Sequence, residues 1–315
     1  MEADFPDEAD ESPDENPDRR DDQNDGGPTI RPGNASAETR SREECYADLR
    51  TAVSAEESTT ARQVTAEEQA AADKWSKDSD ESRSMWTEYQ RRWPPEERAP
   101  TERPDDAPGS WRGRGDKILT PEDNGRVEAA CDRIADRERE TISPAMRAIE
   151  SQDTERRLIG FEECLKGRDR LKEKVFDKMK EFVDFSPDEA IASVSDAVRY
   201  TFQYREARYT QGVWADIGRL KEQGFELHKL WNAWSDEKYK GINSQWIEPD
   251  TGQRFEVQFH TRISYEAKQL THDAYERLRT HQADKFEQMV LEAFEKKVAA
   301  DVPAPPGAAD IPDYP

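Results

Sequence analysis

Near the end of the chain the stretch FEVQFHT, Phe255–Thr261, alternates strictly. Successive side chains of a strand point to opposite faces, so Phe255, Val257 and Phe259 share one face and Glu256, Gln258 and His260 the other. An acid, an amide and an imidazole in one row make either a solvated surface or the floor of a site for polar ligands. The preceding arm, YKGINSQW, brings Tyr239 and Asn243 toward that row. An aromatic ring with one open face can stack a nucleobase, worth about 1–3 kcal/mol.

Two more stretches carry chemistry. In KGRDRLKEKVFDKMK, residues 166–180, Arg170, Lys174 and Lys178 recur at i, i+4 and i+8. That spacing puts three positive charges on one helix face. The stripe suits phosphate oxygens, for which the guanidinium fork is well shaped. It equally suits a solvated face balanced by Glu173 and Asp177. In SVSDAVRYTF, Asp196 and Arg199 lie at the mouth of an expected strand. The carboxylate can hold Mg2+ and the guanidinium can grip a phosphate, or the two form an ordinary surface pair.

The elements that must position these residues follow from periodicity and caps. Thr120-Pro121-Glu122 opens a helical region that continues, with a break at Ser143-Pro144, to about residue 182. SPDEAIASV, 186–194, carries a capping box. Residues 197–204 alternate as a strand, 210–224 form an amphipathic helix ended by Gly224, and 225–234 form a second strand. The hairpin around EPDTG adds two strands, and 262–300 is helical. The fold class is α+β, a mixed β-sheet flanked by helices. Its hairpin is antiparallel, and its strand–helix–strand crossover can run parallel.

Composition bounds the rest. Of 315 residues, 33% are hydrophobic and 37% charged, so part of the chain is expected to stay unpacked. We divide it into a disordered acidic tail (1–40), a helical region with a weak apolar face (41–92) and a Pro/Gly-rich linker (93–120). A folded domain (121–300) and a disordered tail (301–315) follow. The net charge is −23, yet residues 1–30 alone hold twelve acids against two arginines, whereas 151–300 hold 25 basic and 28 acidic residues. The acidic tail would repel nucleic acid and anionic membrane, so neither duplex DNA nor membrane is an expected partner. Cys45, Cys131 and Cys164 form no CxxC pair. With no signal peptide and no membrane span in the sequence, the cytoplasm is the expected location, though signal-independent export stays open.

Taken in order along the chain, four segments resemble the synthetase domain of the RelA/SpoT family, the pyrophosphokinases that make the alarmone (p)ppGpp. They are GRDRLKEKVFDKM (167–179), DAVRYTF, YKGINSQW and FEVQFHT. The resemblance covers about 155–285, and FEVQFHT is its most specific part. It implies a nucleotidyltransferase-like fold, Mg2+ as cofactor and ATP as donor. It places Arg168, Arg170, Lys178 and Arg199 on ATP and Asp196 as a metal ligand. Glu256 becomes a second acid, holding Mg2+ or activating the acceptor 3′-hydroxyl. Tyr239, Asn243, Gln258 and His260 fall on the acceptor side. Asn243 stands where the family has His, His260 where it has Arg and Lys174 where it often has Ser, and Asp196 is only three residues before Arg199. The acceptor therefore stays open between GDP or GTP and, as in toxic relatives, adenine nucleotides or a tRNA 3′ end. A catalytically silent nucleotide-binding module is the reading from another class. The sequence names no oligomeric state or antitoxin partner.

Overall fold

The computed structural model describes residues 66–92, 106–114, 117–279 and 283–314. The expectations for 1–40, for 41–65 and for 93–105 lie outside the described residues.

Helix α1 (Ala66–Arg92) is polar over most of its surface but buries Trp75 and Tyr89. A short hairpin of β1 (Trp111–Arg112) and β2 (Ile118–Leu119) follows. Helix α2 (Pro121–Arg137) starts as expected, with the Asp123 amide donating to Thr120 Oγ1 at 3.1 Å and proline in its first turn. The break expected at Ser143-Pro144 is instead a π turn, Glu138–Ile142, running directly into α3 (Ser143–Glu150). The wider turn absorbs the amide that Pro144 lacks without ending the helix.

Strand β3 (Arg156–Ile159) falls where the sequence reads as helix. Two arginines followed by only two apolar residues give no strand signal. Arg156 enters the interior because Asp216 waits there. Then come α4 (Arg168–Glu181), α5 (Pro187–Ala192) with the Ser186–Glu189 capping box formed, β4 (Arg199–Tyr204) and α6 (Tyr209–Glu222). Strands β5 (Glu226–Asn232), β6 (Ile242–Glu248) and β7 (Gln253–Thr261) precede α7 (Arg262–Arg279) and α8 (Lys285–Ala300).

The five-stranded sheet has the order β3-β4-β7-β6-β5. Strands β4 and β7 pair in parallel, and every other pair is antiparallel. Strand β5 thus runs parallel to β4, as expected, but with two strands, β7 and β6, between them. One sheet face is the core: Tyr200, Phe202, Phe255, Val257, Phe259 and Trp246 are at most 2% exposed. Tyr209 of α6 closes over it and donates its hydroxyl to the Phe259 carbonyl at 2.8 Å.

Two outer segments correct the domain map. Part of the expected linker packs along α4: Trp111 Nε1 donates to Asp169 Oδ1 at 2.9 Å, and Arg114 and Lys117 pair with Glu173 and Asp177. Those three acids sit at i, i+4 and i+8, an acidic stripe that matches the basic hairpin. The tail expected to be loose is also packed over 301–314. Leu230 and Tyr314 exchange backbone hydrogen bonds of 3.2 and 2.9 Å, and Ile311 is 2% exposed. The segment covers the outer edge of β5, whose backbone groups would otherwise be open to pairing.

Candidate functional site

The other sheet face is polar, and both faces of β7 are covered. Glu256 is 8%, Gln258 4% and His260 0% exposed. The solvated-surface reading of the alternating row therefore fails. The pairing register sets the neighbours: Arg199 lies beside Glu256, Glu256 beside Gln245, Gln258 beside Asn243, and Asn243 beside Trp231.

Arg199 opens β4 and joins the two acids. Its Nε donates to Glu256 Oε2 at 3.1 Å and its Nη2 to Asp196 Oδ2 at 3.0 Å. Both carboxylates thus lie along one edge of a single guanidinium. Lys174 reaches Asp196 from α4, with Nζ 2.8 Å from each carboxylate oxygen. Lys166 joins from a segment tied to the start of β4. Its amide donates to the Ala197 carbonyl and the Arg199 amide to the Cys164 carbonyl, which leaves Lys166 Nζ 3.0 Å from Asp196. From α7, Lys268 donates to Gln258 Oε1, and Gln258 donates to Glu256 Oε1. Four cations face two carboxylates here, a net positive patch in a strongly acidic chain.

The fields follow from that crowding. Burial would raise the Asp196 pKa, but the Lys174 and Lys166 ammoniums and the Arg199 guanidinium outweigh it and hold the carboxyl well below its ordinary range. Burial lowers Lys166, against the pull of Asp196. Burial, aided by Arg199, lowers Lys268 to about 8. Arg199 stays firmly charged, since Glu256 and Asp196 overcome its desolvation.

On the acceptor side expected from sequence, Tyr239 Oη lies 2.9 Å from Asn243 Oδ1 and 2.8 Å from His260 Nε2, and His260 Nδ1 lies 2.9 Å from Ser264 Oγ. One proton arrangement satisfies this chain: Ser264 donates to Nδ1, Nε2–H donates to Tyr239, and Tyr239 donates to Asn243. The backbone passes over the imidazole at Gly241, where φ is +151° and an added Cβ would lie 2.7 Å from the ring. His260 is therefore a buried prop beneath Tyr239, not a residue a ligand can touch. The Tyr239 ring stacks on Trp231 at 5.8 Å between centroids and 13° between planes. Trp231 keeps 37% of its surface exposed, so the open end of this aromatic pair is the indole.

Burial, then the charges of Lys268 and Arg199, push His260 well below its ordinary pKa. The folded state thus holds it neutral, while an unfolded chain binds a proton below about pH 6.5. By linkage, this stabilisation is complete above that pH and is lost as pH falls toward the folded pKa, at up to about 1.4 kcal/mol per unit. Thermal unfolding of wild type and His260→Gln between pH 8 and 5 should show a steeper acid decline in the wild type. Parallel profiles would contradict a buried neutral imidazole.

Three expected ATP residues stand apart from the cluster. Arg168 pairs with Glu128 and Asp132 of α2, on another face of α4. Arg170 pairs with Glu173 and with Glu276 of α7, and Lys178 with Glu181. Of the basic stripe, Lys174 alone reaches Asp196. Lys166, Lys268 and Trp231 had no assignment from sequence. Lys166 is the first residue of the basic run. No spacing links Lys268 or Trp231 to the acids.

The expectation of Mg2+ on Asp196 and Glu256 meets a donor set of the right element but wrong company. The Asp196 oxygens accept from three cationic side chains, and the Glu256 oxygens from Arg199 and Gln258. Hard cations take carboxylate oxygens as ligands, and at Asp196 a further cation would meet three positive side chains already there. These residues do not suit a resident divalent cation. Among the described residues, no helix is long and apolar enough to cross a membrane.

No family model and no curated protein matches the chain. Solved structures are similar to it at low identity. Small alarmone synthetase 1 from Bacillus subtilis is 11% identical with a TM-score of 0.37, over 57% of this chain and 93% of that one. A second structure of that enzyme, bound to its product pppGpp, is 11% identical with a TM-score of 0.34, over 57% and 89%. A GTP pyrophosphokinase family protein from Streptococcus pneumoniae is 12% identical with a TM-score of 0.39, over 58% and 90%.

Proposed function

We propose that the chain is an ATP-dependent nucleotide pyrophosphokinase, moving the β,γ-pyrophosphate of ATP to the 3′-hydroxyl of an acceptor nucleotide. The observation that carries this reading is the cluster itself: Lys166, Lys174, Lys268 and Arg199 around Asp196 and Glu256, on a sheet face that also bears the Trp231–Tyr239 stack. The order of the sequence segments that resemble RelA/SpoT synthetases supports it.

In this reading the acceptor 3′-oxygen attacks the β-phosphorus, the bond from that phosphorus to the α–β bridging oxygen breaks, and AMP leaves. Glu256 takes the hydroxyl proton. Arg199 and Lys174, each about one-third exposed at the side chain, meet the charge that spreads over the transferring oxygens. Trp231 and Tyr239 hold a base by stacking. His260, neutral and buried, supplies no charge to the acceptor's own phosphates. This favours testing acceptors beyond GDP and GTP, including the adenine nucleotides and tRNA ends used by toxic relatives.

The test is a product assay. The purified chain is incubated with ATP and offered GDP, GTP, ADP, AMP and deacylated tRNA in turn, and products are resolved by anion exchange with mass detection. An acceptor gaining one pyrophosphate with equimolar AMP is the expected result. A folded chain that binds ATP but yields no product with any acceptor would instead be a silent nucleotide-binding module.

A further inference from the structure

The surroundings of Asp196 go beyond a cleft for phosphates. Lys174 Nζ is equidistant from both carboxylate oxygens, at 2.8 Å, the place a chelated cation would take. Lys166 and Arg199 each add a contact of 3.0 Å to Oδ2. An ion entering there would displace one positive group and stand against two more, in a setting only 12% exposed at the Asp196 side chain. Glu256 accepts one hydrogen bond at each oxygen, from Arg199 and Gln258. Among the described residues, no three His, Cys, Asp or Glu side chains converge as a metal site.

We infer that Lys174, supported by Lys166, stands in place of a resident divalent cation, so that the polyphosphate is neutralised directly by the chain's own ammonium and guanidinium groups. Asp196 is then a positioning residue: it keeps Lys174, Lys166 and Arg199 converged on one spot instead of spread by mutual repulsion. The polyphosphate half of this inference rests on the nucleotide reading above; the cation half does not.

The test begins with Mn2+ alone, titrated against the full chain and followed by the electron paramagnetic resonance of the free ion. Wild type should take up no ion at Asp196. Lys166→Ser combined with Lys174→Ser should raise Mn2+ affinity by about 10–100-fold, the range typical when groups around a metal ligand change, and adding Asp196→Asn should abolish the gain. An ion bound by wild type and lost in Asp196→Asn overturns the inference. So does a double variant that is folded by circular dichroism yet gains no ion. Should the double variant not fold, the comparison of wild type with Asp196→Asn decides alone. ATP is then titrated calorimetrically with and without EDTA. Equal affinity in the two is the expected result, and a collapse in EDTA overturns it. Binding of ATP in neither condition overturns the nucleotide reading itself. That failure is separable because the Mn2+ titration contains no nucleotide.

Discussion

Glu256→Gln should abolish pyrophosphate transfer while leaving the fold in place. The substitution keeps the shape of the side chain and its central place on β7, and changes only charge and proton affinity. In the native site Glu256 Oε2 accepts from Arg199 and Oε1 from Gln258. An amide at 256 can still accept from Arg199 through its oxygen. Its NH2 group, however, meets the Gln258 NH2, so Gln258 must turn and give up its bond from Lys268. The amide also takes no proton from the acceptor hydroxyl. Misaligning one preorganised group in such a site costs about 100–1,000-fold in turnover, and removing the general base at the same step compounds it. The measurement is the rate of AMP release in the product assay, with ATP binding and thermal unfolding as controls. Turnover close to wild type in a folded Glu256→Gln would remove Glu256 from the chemistry and with it the main support for the proposed function.

How much of this was legible in sequence depended on the range of the signal. The alternation of FEVQFHT carried the strand, its two faces and the acid row, because a period of two is local. The capping box at Ser186 and the Thr120 cap are equally local, and both form. What was lost involved partners far apart in the chain. Strand β3 could not be read because Arg156 is made compatible with the interior by Asp216, sixty positions away. The stripe at Arg170, Lys174 and Lys178 was visible as a stripe. Which member faced an acid depended on where α5 and β4 set Asp196. His260 was read as a residue facing the acceptor, since alternation says which side a residue points to but not how deep it lies. Lys268 reached the site only because α7 folds back over β7. The closing tail looked unstructured on its Pro and Ala content, and its order comes from hydrogen bonds to the edge of β5.

The largest stability effect should come from the interior pair that made β3 possible. Arg156 and Asp216 both have fully buried side chains, on β3 and α6. Arg156 also donates to the backbone carbonyls of Ile149, Glu150 and Asp153, so its charge is fixed in place and cannot swing out to water. Asp216 in turn accepts from the Tyr204 hydroxyl at 2.6 Å and from Arg219 at 2.6 Å. Asp216→Asn preserves volume but leaves the Arg156 guanidinium uncompensated. Breaking one partner of a buried pair typically costs about 3–5 kcal/mol. For a domain of this size that corresponds to a fall of about 6–20 °C in Tm. A burial-based cost has a second signature: replacing both partners by apolar residues removes the stranded charge. Arg156→Met with Asp216→Leu removes that charge but orphans the Tyr204 hydroxyl and the carbonyls of Ile149, Glu150 and Asp153, each costing about 1–3 kcal/mol, so it too should melt below wild type. Differential scanning calorimetry of the three proteins checks both statements. An Asp216→Asn variant melting with wild type would show that the pair is not the buried, charge-compensating link between β3 and α6. A double variant melting with wild type would show that the buried hydrogen bonds of the pair contribute nothing to stability.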